Sequence, residues 1–594
     1  MRLVFLTFFL QYSYAFKYLI ISPIYSYSHV KFMSNIADTL ADHGHEVVVF
    51  QQQIVEALRD KKVIKNPDIK IINYEANTAG KEFYRNRPKS SVTKYWTTNQ
   101  AANPSAADQF AEAMSKDLEH MCLQVFEDKS LHTMLKSEHF DVLLAEPFDP
   151  CGLYLGDYLK IPSTIVAMAS SRIDPVQWAL GQPSGLNFIP GPDSKYGEES
   201  GVWDRINNVW MFFMRTRMFR AVYWNLLDKL RFKTGLEIRN IDEIVAESAY
   251  LFYNSNPYLD FPFPSLTKCV PIGGFSMNTT NWKSENLPEN LKNILQKRPN
   301  TVFISFGSVI RSADMPQEYK NAIIEVTKLM SDVTFIWKYE DEKDEEMRGN
   351  IPENVHLMKW LPQPALLAIK SFISAEFKKL PELDPYSRHL NFFQFFFLDI
   401  VATLLILFML SALFVYWITY VICSVRSKSK MADSRVSLFI THGGLGSIME
   451  VAYSGKPAIV IPLFFDQPMN GEMLRRHGGA EVYSKFELSN AKKLKKVIQN
   501  MIQNPKYLAN AKKLSNLLQK QPINPIERLV KHAEFAAEFK KLPELDPYSR
   551  HLNFFQFFFL DIVATLLILF MLSALFVYWI TYVICSVRSK SKME

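Results

Sequence analysis

The second half of the chain contains the run VSLFITHGGLGSIMEVAYSGKPAIVIPLFFDQ, which spans residues 436–467. Its apolar stretches, Val436–Thr441 and Ala458–Phe465, predict two buried strands, and Ser447–Ser454 between them predicts a helix. The glycine-rich turn before the helix supplies backbone N–H groups and the positive end of a helix, which together bind anions. The run therefore predicts a β-α-β unit with a diphosphate site at its turn.

The same alternation of strand and helix extends over most of the chain. Near the N-terminus, Phe16–Pro23 predicts a strand, Val30–His43 a helix and Glu46–Phe50 a second strand. Further strands and helices are predicted at Asp141–Ala145, Ile161–Ala167, Thr301–Ser305, Gln317–Met330, Asp332–Trp337, Val355–Met358 and Gln363–Ala368. This alternation indicates parallel sheets with helices on both faces.

Two α/β domains that face each other across a cleft are expected. A proline-rich stretch at Phe261–Pro264 predicts the linker, so the first domain spans residues 16–265 and the second spans residues 266–368 and 432–535. The aromatic and basic stretch Trp210–Phe232 predicts a helix packed in the first domain, with contact to a membrane surface as the alternative.

A block of 57 residues occurs twice without a difference, at Ala375–Met431 and at Ala537–Met593. Each copy holds 26 consecutive uncharged residues, Ile400–Val425 and Ile562–Val587. At ~1.5 Å per residue such a run makes ~39 Å of helix, enough to cross a hydrocarbon core of ~30 Å. The second copy, in the tail 536–594, predicts a C-terminal transmembrane helix.

The N-terminus predicts a signal peptide over residues 1–15. Arg2 precedes the apolar stretch Leu3–Leu10, and Ser13 and Ala15 are the small residues of a cleavage site. Together with the C-terminal helix this predicts a single-pass type I protein of the endoplasmic reticulum membrane with luminal domains. The terminal lysines resemble a dilysine retrieval signal and fit the positive-inside rule.

The first copy of the repeat conflicts with this topology. A crossing at residues 400–425 would move the glycine-rich turn to the cytosol and reverse the second copy against the positive-inside rule. Removal of the inserted segment 369–431, with either Ala368 or Ala432 kept as the single junction alanine, restores the continuous pattern WLPQPALLADSRVSLFITHGG. The leading hypothesis is that the chain joins two duplicated terminal exons, a gene-model artefact, and that the functional form lacks the segment. The alternative is an inactive two-span membrane protein.

Composition excludes little else. The net charge of +7 comes partly from the repeated tail and indicates a solvated surface rather than a nucleic-acid partner. Of five cysteines, Cys423 and Cys585 lie in the apolar runs. Cys122, Cys151 and Cys269 are too few for a disulfide framework, although one pair could form.

Side chains suited to a nucleotide sugar follow in order along the second domain. Trp360 can stack on a base, and Gln363 can hydrogen-bond the edge of that base. Glu450, one helical turn beyond the glycines, can accept from ribose hydroxyls. Asp466 and Gln467 offer acceptors and donors to a sugar, and Ser305–Ser308 forms a second turn that faces phosphates.

This ordered set resembles the UDP-glycosyltransferase family, specifically the membrane-bound UDP-glucuronosyltransferase type of animals. The resemblance implies a GT-B fold with two Rossmann-like domains, the donor on the C-terminal domain and the acceptor on the N-terminal one. It implies a donor-binding set in which Trp360 and Gln363 hold uracil, Glu450 holds ribose, Asp466 and Gln467 hold the sugar, and the phosphates meet Ser308, His442, Gly443 and Gly444, with Ser447 completing the set.

In the first domain the resemblance makes His29 the general base, and a histidine in a cleft can deprotonate an acceptor hydroxyl near neutral pH. The carboxylate that orients it falls at Glu146, which register favours, while Asp149 remains the alternative. The expected reaction inverts the anomeric centre of UDP-glucuronate or UDP-glucose and glycosylates a small lipophilic acceptor. No metal or further cofactor is expected, and the expected partners are the membrane, with a homo-oligomer as a further possibility.

Overall fold

A computed structural model describes most of the chain outside the inserted segment. The described residues are 15–22, 27–53, 63–85, 95–98, 104–183, 185, 189–192, 194, 201–277, 287–307, 310–367, 436–557 and 560–590. The predicted signal peptide before residue 15, the insert 369–431 and Ser308 lie outside the described residues.

The first domain is built on a seven-stranded parallel sheet with the strand order β3-β2-β1-β4-β5-β6-β7. Its strands are β1 Lys17–Ile21, β2 Glu46–Gln53, β3 Lys70–Glu75, β4 Val142–Ala145, β5 Ser163–Met168, β6 Tyr250–Tyr253 and β7 Cys269–Pro271. The central strands are apolar on both faces because helices cover both sides of the sheet. The order reverses between β1 and β4, so a crevice opens at the carboxyl ends of these two strands.

The helices of the first domain follow the predicted alternation and add a long aromatic helix. They are α1 Tyr27–Asp42, α2 Thr78–Arg85, α3 Pro104–Glu127, α4 Lys129–Ser137, α5 Pro150–Tyr158, α6 Asp174–Ala179, α7 Val202–Thr234 and α8 Ile241–Ala246. Helix α7 packs along α3 and contains the predicted stretch 210–232. Cys122 of α3 and Cys151 of α5 form a disulfide, which the sequence permits without demanding it.

The second domain repeats the plan with a six-stranded parallel sheet in the order β10-β9-β8-β11-β12-β13. Its strands are β8 Asn300–Ser305, β9 Val333–Lys338, β10 Val355–Met358, β11 Leu438–Thr441, β12 Ala458–Val460 and β13 Ala480–Val482. Its helices are α9 Glu289–Gln296, α10 Gln317–Lys328, α11 Glu345–Gly349, α12 Gln363–Leu367, α13 Leu445–Ser454, α14 Gln467–Arg475, α15 Ala491–Gln503 and α16 Pro505–Gln519. Strand β12 ends at Val460, short of the predicted Phe465.

The end of the chain returns to the first domain before it leaves the globular body. Helices α17 Pro525–Phe539, α18 Phe554–Phe557 and α19 Leu560–Lys590 complete the described elements. Helix α17 packs its apolar face on the first sheet, where Leu529 and Ala533 are fully buried. The predicted boundaries at residues 265 and 535 therefore need correction, because β7 pairs with β6 and α17 covers the first domain.

Helix α19 carries the apolar run of the second copy. Its window Leu560–Thr581 is long and apolar enough to cross a membrane, and none of it is buried against the rest of the protein. Among the described residues it is the one helix with these properties.

Candidate active site

His29 and Glu146 meet at the crevice of the first sheet. His29 lies in the first turn of α1, directly after β1, and Glu146 follows the last residue of β4. Because β1 and β4 are parallel neighbours, both side chains leave the same edge of the sheet. His29 Nδ1 lies 2.7 Å and 2.8 Å from the two carboxylate oxygens, and the Ala169 N–H donates to Glu146 Oε1 at 3.0 Å.

The surroundings of His29 raise its pKa. Burial by itself lowers the pKa, but the charge of Glu146 and its hydrogen bond outweigh burial, and the charge of Asp466 adds to them. Asp466 belongs to the second domain, so its field reaches the histidine across the cleft. The two domains therefore bring the candidate base close to the candidate sugar-binding residue.

Asp149 does not lie where a carboxylate that orients His29 would lie. It caps the N-terminus of α5, where its side chain accepts from the Cys151 N–H at 3.1 Å. Burial, with a further contribution from the charge of Glu146, raises the pKa of Asp149 to about 7. The structure thus brings Glu146, and not Asp149, to His29.

Glycines of two turns, Gly307 after β8 and Gly444 in the glycine-rich turn, pack closely against the ring of His442. A Cβ on Gly307 would lie 2.6 Å from His442 Cε1, and a Cβ on Gly444 would lie 2.6 Å from its Nε2. Gly443 has a φ of 88°, in the region that favours glycine, and a Cβ there would meet Val460. Helix α13 starts immediately afterwards, and Gly444 offers its first turn no side-chain cap. The Gly443 N–H donates to Thr441 Oγ1, but the N–H groups of the first turn of α13 are available to an anion.

His442 is neutral at physiological pH. Burial, together with the positive charge of Lys338, lowers its pKa to about 4. Its Nδ1 is buried and has no hydrogen-bond partner among the described residues. Lys338, at the end of β9, donates to the Gly307 carbonyl at the same turn, and its Nζ also pairs with Glu340 Oε1 at 3.0 Å. A neutral imidazole and an ammonium group beside open N–H groups suit a diphosphate.

Gln363, Ser447 and Glu450 form one hydrogen-bonded group between α12 and α13. Gln363 Nε2 donates to Ser447 Oγ at 3.0 Å and to Glu450 Oε2 at 2.7 Å. Lys31 of the first domain approaches Glu450 Oε1 at 3.2 Å, so both carboxylate oxygens are engaged. Trp360 is 65% exposed, which leaves its face accessible to a planar base.

The loop that carries Asp466 and Gln467 is held by its own side chains. Gln467 Oε1 accepts from the backbone of Leu463 and Phe464 at 2.9 and 3.2 Å. Asn470 Nδ2 donates to Asp466 Oδ2 at 2.9 Å and to the Gly443 carbonyl at 3.0 Å. Asn470 thereby joins the sugar loop to the glycine-rich turn.

Sequence reasoning missed three polar residues of this region, namely Lys31, Lys338 and Asn470. Asn470 lies one turn after Asp466 on a helix, a spacing that could have indicated the contact. Lys31 and Lys338 carry no comparable signal, because their partners Glu450 and Gly307 are distant in sequence.

Two parallel α/β domains, with a histidine–carboxylate pair on one and a glycine-rich turn on the other, form the two-domain architecture of the GT-B fold class. The family described as UDP-glucoronosyl and UDP-glucosyl transferase matches residues 17–375 and 431–593, and the chain belongs to this family. The match leaves residues 376–430 out.

Individual relatives agree with this membership. UDP-glucuronosyltransferase 2C1 of Oryctolagus cuniculus is 24% identical over 546 residues, 91% of this chain and 93% of its own length. The Caenorhabditis elegans protein ugt-48 is 24% identical over 565 residues, 92% of this chain and 91% of its own. Among solved structures, Phytolacca americana UGT2 complexed with UDP-2fluoro-glucose and pterostilbene has a TM-score of 0.50 at 13% identity and covers 88% of this chain and all of its own. That structure supports the fold.

Proposed function

We propose that the protein transfers glucuronate or glucose from a UDP-sugar to a hydroxyl group of a small lipophilic acceptor, as in detoxification. The observation that carries this proposal is the pair formed by His29 and Glu146 at the cleft, within the field of Asp466. A base on the acceptor domain thereby faces a sugar-binding carboxylate on the donor domain.

The proposed reaction is a single displacement that inverts the anomeric carbon. Glu146 engages Nδ1 of His29, so Nε2 is the nitrogen that takes the proton of the acceptor hydroxyl. The acceptor oxygen forms a bond to C1 of the sugar while the bond from C1 to the UDP oxygen breaks. Glu146 orients the ring and stabilises the imidazolium that results.

Departing UDP gains negative charge on its diphosphate, and the second domain supplies fixed groups to meet it. These are the start of α13, the Gly443–Gly444 turn, the neutral His442 and the Lys338 ammonium. Such preorganised dipoles and charges stabilise a leaving anion without reorganisation. We expect them to suffice without a metal ion, which turnover in the presence of a chelator tests.

Trp360, Gln363 and Glu450 are proposed to hold the uridine, and Asp466 and Gln467 the sugar. Ser308 is proposed for the phosphates from the sequence. Gln467 contributes partly by bracing the loop, since its carbonyl oxygen already accepts two backbone hydrogen bonds.

We further propose that α19 anchors the protein in the endoplasmic reticulum membrane with both domains in the lumen after removal of the signal peptide. The disulfide between Cys122 and Cys151 supports a luminal location, because disulfides persist in oxidising compartments.

The test is a donor panel of UDP-sugars with a phenol acceptor, assayed by UDP release. His29→Ala should abolish turnover while UDP binding, measured by calorimetry, stays within about threefold of the wild type. Turnover that survives in His29→Ala would remove His29 from the role of base. Binding of UDP without turnover of any donor in the unaltered chain would favour a non-catalytic protein that retains the fold.

A further inference from the structure

A short piece of the first half of the chain is buried in the second domain. Residues 95–98 are described, and within them Trp96 is 0% exposed in the core of the second domain. The centroid of its ring lies 5.0 Å from the centroid of the Phe306 ring, and the two rings meet edge to face. The neighbouring Tyr95 stacks on Phe464 with the ring centroids 4.4 Å apart. Both contacts cross from one domain to the other.

A buried lysine ties this segment to the second domain. Lys485, 4% exposed, follows β13 and donates from Nζ to three carbonyl oxygens. These belong to Tyr95 at 2.7 Å, Thr98 at 3.0 Å and Leu463 at 2.7 Å. An ammonium group has three N–H donors, so the three carbonyls satisfy it fully. Lys485 thus joins residues 95–98 to the start of the loop that carries Asp466.

Residues 95–98 pack against residues that support two parts of the donor site, the turn at Gly307 and the loop that carries Asp466. Phe306 directly precedes Gly307, which packs against His442. Leu463 and Phe464 both donate their backbone N–H groups to Gln467. Phe465, between Phe464 and Asp466, has a φ of 53°, a conformation that a bulky residue adopts only when its surroundings impose it.

We propose that residues 95–98 form an interdomain clamp that positions the sugar-binding loop, with Lys485 as its positioning residue. The proposal rests on the proposed function, because it assigns the loop at Asp466 to the donor sugar. It follows that the acceptor domain shapes recognition of the sugar, while uridine is held elsewhere, at Trp360, Gln363 and Glu450.

The experiment compares binding of UDP-glucuronate, UDP-glucose and UDP to the full chain by calorimetry. Lys485→Met removes the three hydrogen bonds, and Tyr95→Ala removes the stacking on Phe464 but keeps the backbone carbonyl. Each should weaken the better of the two UDP-sugars about tenfold and leave UDP within about twofold. The second variant keeps the test open if the first does not fold.

Lys268→Met is the matched control. Lys268 is also a buried lysine. It directly precedes β7 of the first domain and pairs with Asp546, which follows α17, away from the donor site. Lys268→Met should lower the melting temperature without changing the ratio of UDP-sugar affinity to UDP affinity.

An unchanged ratio in both Lys485→Met and Tyr95→Ala, or an equal change in Lys268→Met, would overturn the clamp. Failure of the unaltered chain to bind UDP or any UDP-sugar would instead contradict the proposed function.

Discussion

Gln363 donates a hydrogen bond of 2.7 Å to Glu450, although the two residues are 87 positions apart and the duplicated segment lies between them. Leu367 and Val436, which flank the insert, are buried in the same cluster. The residues on both sides of the insert therefore meet in one domain, as expected for a functional form that lacks the insert.

Deletion of residues 369–431 should accordingly leave the donor site intact. We expect the shortened chain to bind UDP and to turn over a UDP-sugar at least as fast as the full chain, measured by UDP release from both purified proteins. Gln363→Ala in the shortened chain is the control, because it removes the contact that joins the two sides. An active full chain together with an inactive shortened chain would contradict the hypothesis and favour an essential role for the insert.

Glu146→Gln should lower both the rate and the pKa that governs it. The carboxylate raises the pKa of His29, and the base acts only when neutral, so wild-type kcat/KM should rise with pH through a pKa above 6.5. In Glu146→Gln, which lacks the carboxylate charge, the rise of kcat/KM should shift to lower pH, and kcat should fall by about 10² to 10⁴. A pH–rate profile from pH 5 to 9 measures both effects, and an unshifted rise would separate Glu146 from His29.

The contribution of the His29–Glu146 pair to the folding stability also depends on pH. Because the folded pKa of His29 is raised, the contribution of the pair is complete below about pH 6.5 and is lost as the pH rises through the folded pKa. Thermal unfolding of the wild type should show this loss, and Glu146→Gln should not.

Asp149→Asn should preserve activity, in contrast to Glu146→Gln. Asparagine caps a helix as well as aspartate does, and it removes a buried carboxyl whose pKa is raised to about 7. The wild type should lose stability from this group as the pH rises from about 4 through 7, and the variant should lack that slope. Melting temperatures from pH 5 to 8 and kcat check the two parts. Asp149→Ala, which loses the cap, should cost about 1 kcal/mol.

Gly307→Ala should displace the ring of His442. Gly307 has a φ of 83°, and an added Cβ would lie 2.6 Å from the ring, so we expect a cost of about 1 to 3 kcal/mol and weaker UDP binding. Gly446→Ala, in α13, is the matched control, because a Cβ there meets nothing within 4 Å. Alanine in a helix should stabilise by about 0.5 to 1 kcal/mol. Chemical denaturation and UDP calorimetry compare them, and equal behaviour of the two variants would refute the assignment.

The local elements were predictable because each depends on a short pattern. The apolar strand before His442, the glycine turn and the helix after it follow from neighbouring residues, and the structure has all three. The limits of the first domain were not predictable, since β7 and α17 join the first sheet through pairing and packing with distant residues. The hydrophobic effect is non-directional, so a short apolar run in the sequence does not show which of the two sheets it will pack against.

The order of motifs along the chain was sufficient for the class of fold, the family resemblance and the residues suited to a nucleotide sugar. Those properties depend on residue type and spacing, which are local. The choice between Glu146 and Asp149 depended on the tertiary structure, because Glu146 leaves the end of β4 toward His29 whereas Asp149 caps α5. The contacts of Lys31 with Glu450 and of Lys485 with Tyr95 likewise arise only when the two domains meet, since hydrogen bonds require specific distances that sequence separation does not encode.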